Sequence, residues 1–152
     1  MAEVATGTTL VSFKQELKTQ LEARAGLSGV TVHYAFPETG ITGEDIWFGE
    51  IAETDAEIPI MKSGTKKVDE TVSVPVVVQV LKQQGEDQET ADLRAVALLA
   101  ELQQELAETP RTITDIYAAE MVGWTHTGGQ LGGSNHGSRF DVTVRIRARL
   151  EP

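Results

Sequence analysis

The chain has 152 residues, 40% hydrophobic and 24% charged, a composition that builds one packed domain and excludes a disordered chain. The absence of cysteine removes disulfides, thiolate nucleophiles and cysteine-ligated metals together. A formal net charge of −10 disfavours generic binding to nucleic acid, and no apolar run approaches the ~18 residues of a membrane span.

The first residues, Met1 to Gly7, carry neither a basic leader nor an apolar run, so no export signal is expected. Thr8 or Thr9 is placed to cap a helix running to about Arg24, with Leu10, Phe13, Leu17 and Leu21 as its apolar stripe and Gly26 as its stop. Val30 to Phe36 alternates as a half-buried strand ended by Pro37. Asp45 to Glu53 reads as a second strand, with Ile46 and Phe48 on one side and Trp47 and Ile51 on the other. From Ala56 to Val68 the chain holds Ile58, Pro59, Ile60 and Met61 and then the turn-like Lys62 to Lys67, a connection long enough to project.

Glu70 to Leu81 is the strongest strand signal. Val72, Val74, Val76, Val78 and Val80 recur every second residue, so all five point to one side of a sheet and that side is buried. At about 1.5 to 3 kcal/mol for each fully buried valine, this strand is a core element. Pro75 has no amide hydrogen to give to a ladder, which points to an edge or a bulge that a neighbouring subunit would complete. Asp87 or Thr90 opens a second helix from Glu89 to about Glu108, with an apolar face of Leu93, Val96, Ala97, Leu99, Ala100, Leu102 and Leu106, and Pro110 ends it. Ile113 to Trp124 reads as a strand, Thr125 to Ser138 as turn-like with a mobile glycine-rich tip at Gly128 to Gly137, and Arg139 to Leu150 as the last strand. These elements imply an α+β fold: a mostly antiparallel sheet of about five strands with two helices packed on one side. They form a single domain over residues 1–152, with projecting loops near 54–68 and 125–138.

Few residues suggest chemistry. His33, His126 and His136 lack helical pairing, so no metal site is expected. The glycine-rich tip lacks the Gly-Lys-Ser/Thr ending of a phosphate loop and precedes a strand, not a helix. Glu44 and Asp45, or Asp55 and Glu57, have no nucleophile placed beside them, so neither enzyme activity nor a cofactor is expected. Arg145, Arg147 and Arg149 share one side of the last strand, and same-side cations on an acidic chain call for anions opposite them. Those anions belong either to cross-strand Glu and Asp or to another subunit. Trp47, with Ile58, Ile60 and Met61 and the nearby Lys66 and Lys67, raises the same choice between core and interface.

The amphipathic first helix, Trp47-Phe48-Gly49, the long loop ending in Glu70 before the in-phase valines, the alanine- and leucine-rich second helix and the two closing strands together resemble the tail terminator proteins of long-tailed bacteriophages. The resemblance runs from about Leu10 to Leu150, and related head-completion and neck proteins share this length and character. It implies a non-enzymatic virion protein of the tail or neck, assembled in the host cytoplasm. Such proteins form a ring, usually a hexamer, that caps the tail tube, stops its polymerisation and joins the tail to the head. The partners implied are further copies of the chain, the major tail tube protein and the head-tail connector or stopper protein, with no membrane. DNA passes through the lumen without sequence-specific binding. Other readings are another protein of the head-tail interface, a small cytosolic enzyme or a binding module.

Overall fold

The alternating valines form β4 (Val68–Lys82), and the other elements are arranged around it. In chain order these are α1 (Leu10–Glu22), a 3-10 turn (Ala25–Leu27), β1 (Thr31–His33), β2 (Glu44–Phe48), β3 (Glu53–Glu57), β4, α2 (Gln88–Glu108), β5 (Ile116–Leu131) and β6 (Asn135–Leu150). The computed structural model describes residues 7–38, 40, 42–57, 68–82, 87–108, 115–131 and 135–150.

β4 pairs antiparallel with β6 along its whole length, from Val68 opposite Leu150 to Lys82 opposite His136. Its other side is shared. β2 pairs with its C-terminal half, Phe48 opposite Val76, and β3 with its N-terminal half, Glu53 opposite Ser73. β1 runs parallel to β2, and β5 closes the opposite side against β6, giving a six-stranded, mostly antiparallel sheet. The expected α+β class holds, with a sixth strand: the stretch read as one strand over Asp45 to Glu53 holds β2 only, and β3 begins at its last residue and runs on into the expected connection. β2 stops at Phe48, the chain crosses over with Ile51 76% exposed, and β3 resumes on the same side of β4.

Pro75 stands in a central strand, not at an edge, and this crossover explains why it is tolerated. Its carbonyl accepts the Gly49 N–H at 2.8 Å, so its own missing N–H points to the same side, where β2 has ended and β3 has not begun. Gly49 is required there, since a Cβ on it would lie 2.7 Å from Pro75 Cγ and 2.8 Å from its Cβ.

Both helices cover the face that carries the five valines. Phe13, Leu17 and Leu21 of α1 and Ala95, Leu98, Leu102 and Leu106 of α2 meet the valines and Phe140, Val142, Val144 and Ile146 in one core. The buried face of α2 is shifted from the one its sequence suggests: Ala91, Ala95 and Leu98 join Leu99, Leu102 and Leu106 against the sheet, while Leu93 and Val96, about half a turn away at 3.6 residues per turn, are 64% and 51% exposed and Ala97 and Ala100 face outward with them. Arg94 makes a two-pronged bond to Glu44 at 2.7 and 3.1 Å, tying α2 to β2. Arg24 reaches Glu101 at 2.9 Å and Glu105 at 3.2 Å. α1 already ends at Glu22, so Gly26 is not its stop; Gly26 lies in the 3-10 turn, where a Cβ would strike the Glu101 carboxylate. The strand expected over Val30 to Phe36 shortens to Thr31–His33, because the chain then turns to lay Phe36 against Trp47.

Two further expectations change. Thr9 is the N-cap of α1 by position, yet its side chain makes no cap bond; its N–H and hydroxyl both donate to one oxygen of Glu70, at 2.8 and 2.6 Å. Glu70, 2% exposed on the valine face of β4, thus supplies the anion that a helix N-terminus favours. The turn-like stretch Thr125 to Ser138 is mostly ladder, with pairing continuing to Leu131 opposite Asn135, and of the projecting loop expected near 125–138 residues 132–134 lie outside the described residues. It is tied to the start of α2. Gln88 Nε2 donates to the Gly137 carbonyl at 2.8 Å, and His126 Nε2 lies 2.8 Å from Ser138 Oγ and 3.3 Å from Asp92 Oδ1. Gly128 lets the hairpin approach, since its Cβ would lie 3.0 Å from Gln88 Nε2. Asp87 caps α2 through the Thr90 N–H and hydroxyl, bonds that hold its carboxyl below the usual range. Of the loop expected near 54–68, residues up to Glu57 belong to β3, and 58–67 lie outside the described residues.

Two substitutions test this frame. Glu70→Ala leaves the Thr9 N–H and hydroxyl buried without an acceptor, and urea unfolding is expected to show a loss of about 1–3 kcal/mol, smaller for Glu70→Gln. Gly49→Ala forces a methyl group against the Pro75 ring, with an expected loss of about 1–3 kcal/mol in the same assay.

Candidate interaction surface

Among the described residues, the second face of the sheet carries no helix. It presents Asp69, Thr71, Ser73, Pro75, Val77 and Gln79 of β4 beside the odd-numbered residues of β6. Pro75 divides it into two regions of different chemistry.

Toward the C-terminal end of β4 the face is aromatic. Trp47, opposite Val77, is only 3% exposed; the Phe36 ring meets it edge-on at 5.4 Å, and the Arg139 guanidinium stands over it at 5.6 Å. Trp47, expected as a possible contact residue, is therefore covered by its own chain, and the ring that faces outward is Phe36, at 57% exposure. Alternation alone hid this, because Phe36 reads as an ordinary strand position. Next to it, buried Asp45 accepts the Thr42 and Gly43 N–H groups at 2.9 and 3.1 Å and lies 2.8 Å from His33 Nε2, which locks the turn into β2.

Toward the N-terminal end of β4 the face is a charged groove. Glu53 and Asp55 of β3 form one wall, Thr71 and Ser73 the floor, and Arg145 and Arg147 of β6 the other wall, with Tyr117 at its rim. The register sets the rows. Ser73 lies between Glu53 and Arg145, Thr71 lies between Asp55 and Arg147, and Glu120 of β5 sits opposite Arg145 on the far side.

The structure divides the arginine row. Arg149 forms a two-pronged bond to Asp69 across the strand pair, at 2.8 and 3.3 Å, and Arg139 bonds Asp141 on its own strand at 2.9 Å. Arg145 and Arg147 face short hydroxyl side chains on β4, and among the described residues their guanidinium groups have no hydrogen-bond or ion-pair partner. Ile58, Ile60, Met61, Lys66 and Lys67 lie outside the described residues.

A second exposed region, which the alternation reading missed, lies on β5, which has no partner strand on its outer side among the described residues. Bulges at Ile116/Ala118 and Met121/Gly123 shift its phase and leave Tyr117 and Val122 exposed; Trp124, past the second bulge, is 53% exposed. The signal was present as a failure of strict alternation between Ile116 and Trp124.

Hydrogen bonding from Arg149 holds the Asp69 carboxyl below the usual carboxylate range. In an NMR titration Asp69 is expected to take up its proton at a lower pH than an isolated aspartate, and to return to the ordinary range in Arg149→Gln. An unchanged titration would remove the pair from the solution structure.

No family model matches the sequence, and no curated protein matches it. Among solved structures the chain is similar to one from the virion of native gene transfer agent (GTA) particle, with a TM-score of 0.55, 16% sequence identity, and coverage of 97% of this chain and 100% of that one. At that identity the likeness is one of fold, and it extends over the whole two-layer architecture.

Proposed function

We propose that this chain is a structural virion protein that caps a phage tail tube as a ring, usually hexameric in the family it resembles, and joins the tail to the head connector. The observation that carries the reading is the full-length likeness of fold to a virion chain, joined to the resemblance of element order and motifs to tail terminators. The open face supports a role in assembly. Arg145 and Arg147 are held on a rigid central ladder and lack partners among the described residues, the state expected of contact residues awaiting another subunit.

The partners proposed are further copies of the chain, the tail tube protein and the connector or stopper, with DNA passing through the lumen. Arg145 and Arg147 serve a protein contact better than a grip on DNA. Glu53, Asp55 and Glu120 lie in the same rows, and their negative potential opposes phosphate while leaving room for a carboxylate aimed at the guanidinium groups. A guanidinium–carboxylate pair that is two-pronged and partly desolvated exceeds the ~0.2–1 kcal/mol of an exposed surface pair.

Arg145→Glu together with Arg147→Glu is expected to leave the chain folded by circular dichroism, because the opposite side of β6 carries the core, and to block capping when added to tail tubes. Capping at wild-type efficiency by this variant would overturn the role given to the arginines.

A further inference from the structure

A ring of identical chains joins two different surfaces at every junction, so an arginine-bearing sheet face needs its counterpart elsewhere on the same molecule. The helix layer, on the other side of the sheet, carries one. Leu93 and Val96 of α2 and Trp124 of β5 are each more than half exposed. Trp124 stands opposite the core residue Val142 and so faces the helix layer. A Cβ on Gly128 would lie 3.0 Å from Gln88 and 3.3 Å from Asp92, and His126 lies 3.3 Å from Asp92. Two residues further along β5 and one turn further along α2, Trp124 and Val96 come side by side. Glu89 and Asp92 fall within the same ~100° of the helix circumference as Leu93 and Val96. Glu89 is exposed and has no hydrogen-bond or ion-pair partner among the described residues, and Asp92 stays 39% exposed beside His126. The result is an apolar patch edged by two carboxylates.

We propose that Arg145 and Arg147 of one chain receive Glu89 and Asp92 of the next copy, whose Leu93, Val96 and Trp124 seat on Tyr117 at the rim of the groove. The inference rests on the ring reading and names the element that fills each junction. Charge supports it: α2 carries five carboxylates and one cation, Arg94, which Glu44 holds, so an acidic helix approaches the two unpartnered guanidinium groups. Spacing supports it too. Glu89 and Asp92 are three helical residues apart, ~4.5 Å along the axis, and Arg145 and Arg147 are two strand residues apart, ~6.8 Å, a difference that long side chains absorb. Tyr117, 54% exposed beside the arginines, gives the apolar residues a surface to cover. The two surfaces lie on opposite sides of the two-layer fold, so filling one leaves the other free, and copies add head to tail until the rotation closes.

Other carboxylates serve the arginines less well. Glu101 and Glu105 hold Arg24, Asp69 holds Arg149 and Glu44 holds Arg94, so each would have to give up a bond within its own chain. Glu53 and Asp55 lie on the same face as the arginines. A neighbour offering them would spend its own open face on the contact, stop at two chains and leave Leu93, Val96 and Trp124 uncovered. The α2 patch is the surface that answers both the charge and the exposed apolar side chains while letting copies continue around a ring.

The test is light scattering on the full chain at high micromolar concentration, where wild type is expected to form a closed assembly of more than two chains. Arg145→Thr with Arg147→Thr removes one side of the junction, and Leu93→Lys with Val96→Lys, at exposed positions, removes the other. Each variant alone is expected to keep the mass of one chain, its self-association weakened at least ~ten-fold. Mixed in equal amounts they retain one intact junction, the arginines of the second against the α2 patch of the first, so the mass should rise to two chains and stop there. A second measurement keeps all the charges. In a chain with no native cysteine, Leu93→Cys or Tyr117→Cys alone should not be cross-linked by a short bismaleimide, and the two together should give a ladder of linked chains. A wild type with the mass of one chain, a Leu93 and Val96 variant that assembles as wild type does, a mixture that stays single or grows past two, or cross-linking of either single cysteine would overturn the proposal. Capping of tail tubes reads the ring function separately: if the Leu93 and Val96 variant assembles and caps normally while the arginine variant does neither, the ring stands and only this pairing is lost.

Discussion

The structure depends on one constraint: β4 must be buried on one side by its valines and still run through the middle of the sheet with a proline in it. Five in-phase valines commit one face to the core, and that commitment places both helices, since every large apolar side chain of α1 and α2 that is fully buried packs on that face. The proline then decides how the opposite ladder is built. A single continuous neighbour would have left a broken hydrogen bond at Pro75; two short neighbours meeting at Gly49 need none there. The split of β2 from β3, the crossover through Ile51 and the glycine at position 49 all follow from keeping Pro75 central.

That frame was partly legible in the residues. Long runs with strict period, β4 and β6, were readable because burial on one face forbids a register slip. Pro75 was readable as a break but not as a seam, since its position depends on a pair of strands that ends and begins elsewhere in the chain. Thr9 shows a limit of local rules. Its residue type signals a cap, but the group it serves is Glu70, 61 residues away, and no local pattern announces that. The α2 face was misplaced for a related reason: apolar residues occur nearly all round this helix, and the side carrying the small Ala91 and Ala95 is the one that comes down on the sheet while Leu93 and Val96 stay outside.

The hairpin of β5 and β6 shows how composition misleads. Glycine, serine and asparagine between Thr125 and Ser138 read as a flexible tip, because those residues serve turns most often. Here the glycine-rich ends continue the ladder, and Gly128 has a packing role, since the start of α2 comes down onto it. Gln88, Asp92, His126 and Ser138 then connect helix and hairpin through polar bonds that no alternation pattern predicts. Shape complementarity, not chain flexibility, explains glycine at that position.

The candidate surface was legible in part, and physics separates what was from what was not. The arginine row was visible because alternation alone puts Arg145, Arg147 and Arg149 on one side, but their fates depend on what stands opposite. Asp69 neutralises Arg149 and the hydroxyls of Ser73 and Thr71 do not neutralise its neighbours. An acidic chain that keeps two cations on an internal strand, with carboxylates two strands away at matching levels, carries a patterned electric field across that face of the sheet. Local pairing would erase such a pattern, and the separation set by β4 preserves it.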